Sequence, residues 1–184
     1  HLKSNPHNRT PIGRQVVVVG AGNTAIDAAT QAKRLGAERV TLVYRRGAED
    51  MSAYNYEQEL ARTDGCEFRL NTVPTRILGS GKVTGIECAR SELGAPGADG
   101  KRAFKEVANS THVIECDQVF RALGQTPLAD LAKMFDLRVD GSRMVCDNPK
   151  VLVGGDCGSG GAEIVNAAAD GVQAAKRIHA LLSQ

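Results

Sequence analysis

The 184-residue sequence predicts an α/β fold built on a parallel β-sheet, and three observations carry that reading. Val16 to Val19 form an unbroken apolar run ending in Gly20. A helix-period pattern follows at once and stops at Gly36, and a second strand-like run, Arg39 to Tyr44, comes directly after it. A strand buried on both faces reads as such a continuous run, and strand, helix, strand in this order is the parallel crossover unit.

Residues 1 to 14 are polar, with Pro6, Pro11 and Gly13, and read as an approach to the first strand; the linker itself is set at residues 1–10. At the end of that strand Gly20, Gly22 and Ala25 give the spacing G-x-G-x-x-A. Gly20 permits a tight turn, Gly22 lets a pyrophosphate approach the backbone, and Ala25 lets the helix lie close to the sheet. The phosphates would meet free N–H groups at the positive end of the helix dipole. Asn23 is expected to cap the helix, whose packed face is expected at Ala25, Ala28, Ala29, Ala32 and Leu35.

The end of the second strand bears on the choice of coenzyme. A carboxylate there would accept hydrogen bonds from an adenosine ribose and favour NAD, but Tyr44, Arg45 and Arg46 stand in its place. Two guanidiniums suit a 2′-phosphate, and Tyr44 or Arg45 could stack on the adenine. NADPH is therefore the first choice, with NADH kept open. The plainer reading is an ordinary crossover unit with a glycine turn and two solvated arginines.

A helix is expected from about Ala53 to Thr63, capped by Ser52 and ended by Asp64 and Gly65. Tyr54, Tyr56, Glu57 and Glu59 form either a substrate or partner surface or a solvated helix face. From Cys66 the runs CEFRL, TVPTRIL, VTGIECARSEL and AFKEVA predict an antiparallel meander, and the loop from Gly94 to Lys101 carries no chemistry. THVIECDQVFRALG holds two short apolar strands separated by Glu115, Cys116 and Asp117, with His112 in a packing or edge role. If QVFRALG returns to the parallel sheet, Gly124 gives backbone access in the ligand crevice; otherwise it merely ends a strand.

Leu128 to Phe135 reads as a short helix and RVDGSRMVC as a hairpin around Asp140 and Gly141. The segment VLVGGDCGSGGAEIVNAAADGVQAAKRIHALLSQ gives a strand, a glycine turn and a helix from about Ala162 to Leu182. Asp156 stands at the strand end, either accepting from a cofactor hydroxyl or simply closing a turn.

Lys and Arg total 23 against 21 Asp and Glu, a net charge of +2, so nothing in the charge argues for a nucleic-acid or membrane surface. Aromatic residues are 4% with no Trp, poor material for stacking on single strands. No apolar run approaches a membrane span, and the polar start lacks a secretory core, so a cytoplasmic protein is expected. Position one is His, from which further sequence upstream is expected. The five cysteines, Cys66, Cys88, Cys116, Cys146 and Cys157, include no C-x-x-C pair, so no disulfide framework, zinc site or iron–sulfur site is indicated. Cys157 is the first candidate for a redox role, and no side chain stands out as a catalytic acid, base or nucleophile.

The runs GAGNTAIDAATQAKRLGAERVTLVYRRG, ALGQTP and GGDCGSGGAEIVNAAADGVQAA resemble the NAD(P)H-binding half of two-dinucleotide flavoproteins, the FAD-dependent pyridine nucleotide oxidoreductases. More narrowly, the chain is similar to the glutamate synthase small subunit and the NAD(P)H subunit of dihydropyrimidine dehydrogenase. RRGAEDMSAYNYEQELA looks more like the latter, since the former usually has proline after the methionine. The resemblance implies a Rossmann-like parallel sheet with a β-meander, followed by a C-terminal strand and helix of an FAD domain. It implies that Gly20, Gly22, Asn23, Thr24 and Ala25 line the pyrophosphate and that Arg45 and Arg46 face the adenosine phosphate. Gly124 would border the nicotinamide, Asp156 would reach the ribityl chain of FAD, and Glu163 and Ile164 would offer backbone N–H groups to the flavin. Hydride would pass from NAD(P)H to FAD and electrons onward through iron–sulfur clusters, implying an iron–sulfur or catalytic partner subunit.

An FAD-binding G-x-G-x-x-G and a cysteine-rich region, which such proteins carry earlier in the chain, are absent from this sequence, as is the C-x-x-C of a thioredoxin reductase. The domains are therefore set at 11–126 for NAD(P)H and 127–184 for the last segment of an FAD domain. An incomplete FAD domain leaves apolar surface uncovered, from which self-association or a mobile C-terminal region is expected. The alternative is a stand-alone nucleotide-binding or regulatory module without turnover.

Overall fold

The computed structural model describes residues 11–96, 102–126 and 128–183. The chain divides into two compact units, one ending at Gly124 and the other beginning at Gln125. The expected linker and most of the Gly94 to Lys101 loop lie outside the described residues.

In the first unit β1 (Gln15–Val19), α1 (Asn23–Arg34) and β2 (Arg39–Val43) form the expected crossover, with β1 and β2 parallel. A 3-10 turn (Ala48–Asp50) and α2 (Asn55–Thr63) lead to β3 (Glu67–Arg69). β4 (Thr72–Leu78), β5 (Gly85–Pro96), β6 (Arg102–Glu106) and β7 (His112–Glu115) follow, and β8 (Gln118–Arg121) ends the series. The parallel sheet has the order β3-β2-β1-β8. Both helix ends are glycine-terminated in the same way. Gly36 at φ +105° and Gly65 at φ +80° donate to the carbonyls of Lys33 and Arg62, while Ala37 and Cys66 donate to Ala32 and Ala61.

The period of two along β1 and β2 sends alternate side chains to two cores. Val16, Val18, Val40 and Leu42 meet Ala25, Ile26, Ala29 and Ala32 of α1 and Ala61 of α2. Val17, Val19 and Val43 meet Ile86, Cys88 and Cys116 on the meander side. A parallel sheet is thus covered by helices on one face and by an antiparallel sheet on the other, which is why four consecutive valines are required.

Two expectations are corrected here. β3 belongs to the parallel sheet beside β2, Thr41 opposite Glu67, and not to the meander. The reason is α2, a helical crossover that returns the chain parallel to β2. The meander is β4, β5 and β6, with β7 pairing antiparallel to the first half of β5. The two strands of THVIECDQVFRALG therefore join different sheets, for β8 runs parallel to β1. Asp117 makes the switch: its carboxylate accepts from the Arg14 and Gln15 N–H groups, both at 3.0 Å, and its own N–H donates to the Gln15 carbonyl at 2.9 Å. On α1, Leu35 is 40% exposed while Ile26 and Thr30 are buried, so the packed face includes Ile26 and excludes Leu35.

Burial pushes the Cys88 and Cys116 thiols up to about 11 and raises Cys66 from its ordinary value of 9.0. A thiol whose folded pKa is raised binds its proton more tightly in the native state, so stability falls as pH rises from about 9 toward 11. Urea midpoints should therefore drop between about pH 8 and pH 10.5, and less so in the Cys88→Ala, Cys116→Ala double variant. Equal drops in both proteins would remove these thiols as the cause.

In the second unit α3 (Ala129–Met134) is followed by an antiparallel hairpin of β9 (Arg138–Asp140) and β10 (Arg143–Val145). α4 (Asp156–Ser159) and α5 (Ile164–Leu182) complete it. The strand expected at VLVGG is not formed, because no described strand runs beside it to complete a ladder. α5 starts two residues later than the estimate of Ala162, since Glu163 takes the cap: its N–H donates to the Asn166 side chain at 3.2 Å and its carboxylate accepts in return. Along α5, Ile164, Val165, Val172, Ile178, Leu181 and Leu182 are exposed, so apolar surface is uncovered here.

Candidate nucleotide-binding site

The turn between β1 and α1 assigns different work to its two glycines. Gly20 sits at φ +140° and donates to the Val43 carbonyl at 3.1 Å. A Cβ there would run into the carbonyl oxygen of Ala122, just past β8, and would stand 3.3 Å from the Cβ of Ala25. Gly20 is therefore demanded by the protein's own backbone, and Ala25, fully buried, closes the same contact. Gly22 has ordinary angles, φ −91° and ψ 175°, and a Cβ there would meet only Ser52 Oγ, at 3.2 Å. Apart from that hydroxyl, a Cβ at Gly22 would meet no atom within 4 Å among the described residues.

Gly22, not Asn23, is the N-cap of α1, and no side chain caps this end. Asn23 uses its Oδ1 to accept from the Tyr54 N–H at 3.1 Å, while the Ala53 N–H donates to the Ala21 carbonyl at 3.1 Å. The segment 52–54 is thereby pinned along the glycine turn. Ser52 does not cap α2, whose N-cap is Tyr54. In sequence a serine ahead of a helix reads as a cap, so its position beside Gly22 carried no local signal. The first turn of α1 holds no acidic residue, so no carboxylate of that turn offsets the positive helix end at Asn23 and Thr24. Tyr54 and Tyr56 are stacked nearly parallel, ring centroids 5.6 Å apart, on the exposed start of α2.

The arginine pair is split. Arg45 is exposed, with its guanidinium carbon 4.6 Å from the centroid of Phe104 on β6, and its carbonyl accepts from Ser91 Oγ at 2.7 Å. Arg46 is half-buried, with Nε shielded and without a hydrogen-bond partner. Tyr44 donates its hydroxyl to the Asp50 carbonyl at 2.7 Å. Phe104 had no sequence signal, since an aromatic in a short strand ordinarily reads as packing. Gly124 lies exposed at φ +88° with open space where a Cβ would stand.

A cleft of about 360 Å³ lies elsewhere, lined by Arg39, Thr41, Glu67 and Arg69 of β2 and β3 and by β7 from His112 to Glu115. It contains none of the expected site residues. His112 is on an exposed strand, its Nδ1 3.2 Å from the Ser110 carbonyl. In the second unit Asp156 is exposed as the first residue of α4, and Ile164 is 85% exposed at the start of α5. The Glu163 N–H is taken by Asn166. Cys157 Sγ lies 3.2 Å from the Met144 sulfur. Among the described residues no three His, Cys, Asp or Glu side chains are grouped to hold a metal, and no helix is long and apolar enough to cross a membrane.

The sequence profile described as pyridine nucleotide-disulphide oxidoreductase matches residues 1–171. The chain belongs to that family. Among curated relatives, the NADPH-Fe(3+) oxidoreductase subunit beta of Geobacter sulfurreducens is 47% identical over 120 residues, covering 64% of this chain and 18% of the relative. The glutamate synthase [NADPH] small chain of Escherichia coli is 36% identical over 181 residues, 90% of this chain and 38% of the relative. The chain thus spans well under half the length of these curated relatives. Among solved structures, T. acidophilum thioredoxin reductase superposes with a TM-score of 0.72 at 24% identity, covering 92% of this chain and 53% of that one. FprA of Mycobacterium tuberculosis in complex with NADPH gives 0.67 at 20% identity, covering 93% and 52%. These last likenesses are of fold alone, and they agree with the three-layer first unit.

Proposed function

We propose that this chain is the NADPH-binding part of an FAD-dependent oxidoreductase that feeds electrons through iron–sulfur clusters to glutamate synthase- or dihydropyrimidine dehydrogenase-type chemistry. The observation that carries the reading is the glycine turn opening into an uncapped α1 with Arg45 exposed at the end of β2. In this reading residues 11–126 hold NADPH and 127–184 are the closing segment of an FAD domain. The resemblance of GAGNTAIDAATQ and YRRG to the glutamate synthase group, and family membership over residues 1–171, support it.

Both groups fit the residues present. The space a Cβ at Gly22 would fill suits a pyrophosphate, held by backbone N–H groups of Asn23 and Thr24, with Gly20 and Ala25 shaping the turn. Arg45 and Arg46 would take the 2′-phosphate, and Gly124 would border the nicotinamide. Asp156 would accept from FAD, and Ile164 rather than Glu163 would offer its N–H. When bound, the two cofactors supply hydride donation and acceptance. The chain itself binds, orients and balances charge.

Calorimetric titration with NADPH and NADH tests this. NADPH should bind more tightly, and Arg45→Ala and Arg46→Ala should weaken it by about 1–3 kcal/mol each, the weight of charge-assisted hydrogen bonds, with NADH little changed. Equal binding of both coenzymes would move the assignment to NADH or dual use, and binding of neither would remove the site. The isolated chain should show no NADPH turnover, and a rate retained after stringent purification would overturn the view that it acts only within a longer oxidoreductase.

A further inference from the structure

The meander sheet reaches the end of β2 at two points. Ser91 on β5 is 3% exposed and donates its hydroxyl to the Arg45 carbonyl at 2.7 Å. Phe104 on β6 lies against the Arg45 guanidinium, whose central carbon is 4.6 Å from the ring centroid. Backbone and head group of one arginine are thus held from two adjacent strands, themselves in register through Leu93 opposite Phe104 and Ser91 opposite Glu106. A guanidinium stacked on a ring keeps its N–H donors at its rim, where a phosphate can meet them. Arg46 is half-buried with its Nε enclosed, and among the described residues no ring is paired with its guanidinium.

We infer, on the basis of the dinucleotide reading above, that Phe104 is a positioning residue for Arg45. Together with Ser91 it makes the meander sheet a determinant of preference for a coenzyme bearing a 2′-phosphate. A long cationic side chain loses rotamer freedom when it grips a phosphate. The ring removes part of that freedom before the ligand arrives, so less is lost on binding. A coenzyme without the 2′-phosphate never engages Arg45 in this way and gains nothing from the ring.

The full chain and its Phe104→Ala, Phe104→Leu and Phe104→Tyr variants are titrated with NADPH, NADH and 2′-AMP. Ala and Leu should raise the Kd for NADPH and 2′-AMP about two- to five-fold, the weight of an exposed cation–π pair, and leave NADH unchanged, while Tyr restores the original values. Adding Phe104→Leu to Arg45→Ala should cost nothing further, because the ring acts only through the arginine. The inference is overturned if Phe104→Leu leaves NADPH binding unchanged, tightens it, or weakens both coenzymes alike. An unmodified chain that binds both coenzymes equally also overturns it while leaving the dinucleotide site standing. An unmodified chain that binds neither removes the underlying reading, a result visible before any substitution is made.

Discussion

Replacing Gly20 with alanine should destabilise the protein by about 2–5 kcal/mol, combining backbone strain with steric overlap. The angle φ +140° is one that side chains rarely adopt, and the new methyl would be driven into the Ala122 carbonyl. Ala122 cannot retreat easily, since its own N–H donates to the Val19 carbonyl at 2.8 Å, one bond beyond the β1–β8 pairing. Gly22→Ala, by contrast, should change stability by less than about 1 kcal/mol, the scale of an N-cap substitution. Its φ of −91° suits alanine, and the neighbour it meets is a serine hydroxyl at 3.2 Å. The loss at Gly22 should appear in coenzyme binding instead. Urea denaturation and calorimetry on the two variants separate the roles: equal stability losses would mean that both glycines serve the fold and would weaken the case for a ligand at the mouth of α1.

This division between the glycines also marks how far the sequence could be read. The spacing G-x-G-x-x-A is a statement about local backbone, and local backbone is what residue patterns encode well; β1, α1, β2 and the hairpin at Asp140 and Gly141 lie where the patterns put them. The return of β8 to the parallel sheet is left open by the sequence, and its pairing with β1 supplies the answer. Pairing partners were less legible. The three residues of β3 look the same whether they join β2 or the meander, and the decision is made by α2 as a crossover, not by anything in Glu67, Phe68 or Arg69. VLVGG has the composition of a strand, but a ladder needs a neighbour, and among the described residues it has none. Within the site, the glycine turn was visible and its supports were not. Ser52 resembled a helix cap and Phe104 resembled packing, because contacts between residues 22 and 52 or 45 and 104 leave no periodicity behind.

The α1 face gives a second measurable contrast. Ile26→Ala should cost about 2–5 kcal/mol, the range for removing a buried isoleucine, although alanine recovers a few tenths in helix propensity. Ile26 is 2% exposed in the core shared by β1, β2 and both helices. It lies in the opening turn of α1, immediately after Ala25, so loosening it also loosens the end of the helix that would hold the pyrophosphate. Coenzyme affinity should therefore fall along with stability. Leu35→Ala should cost less than about 1 kcal/mol, since Leu35 is 40% exposed and stands at the C-cap beyond the last helical turn. Helical spacing alone ranks Leu35 with the alanines as part of the packed face, because it continues the i, i+3 series from Ala32. Leu35 instead stands past the last helical residue, Arg34, and is left exposed. Urea denaturation of the two variants decides between the faces: a Leu35→Ala loss exceeding that of Ile26→Ala would mean that α1 packs through a different stripe, and the helix end would then not be aimed as the glycine turn requires.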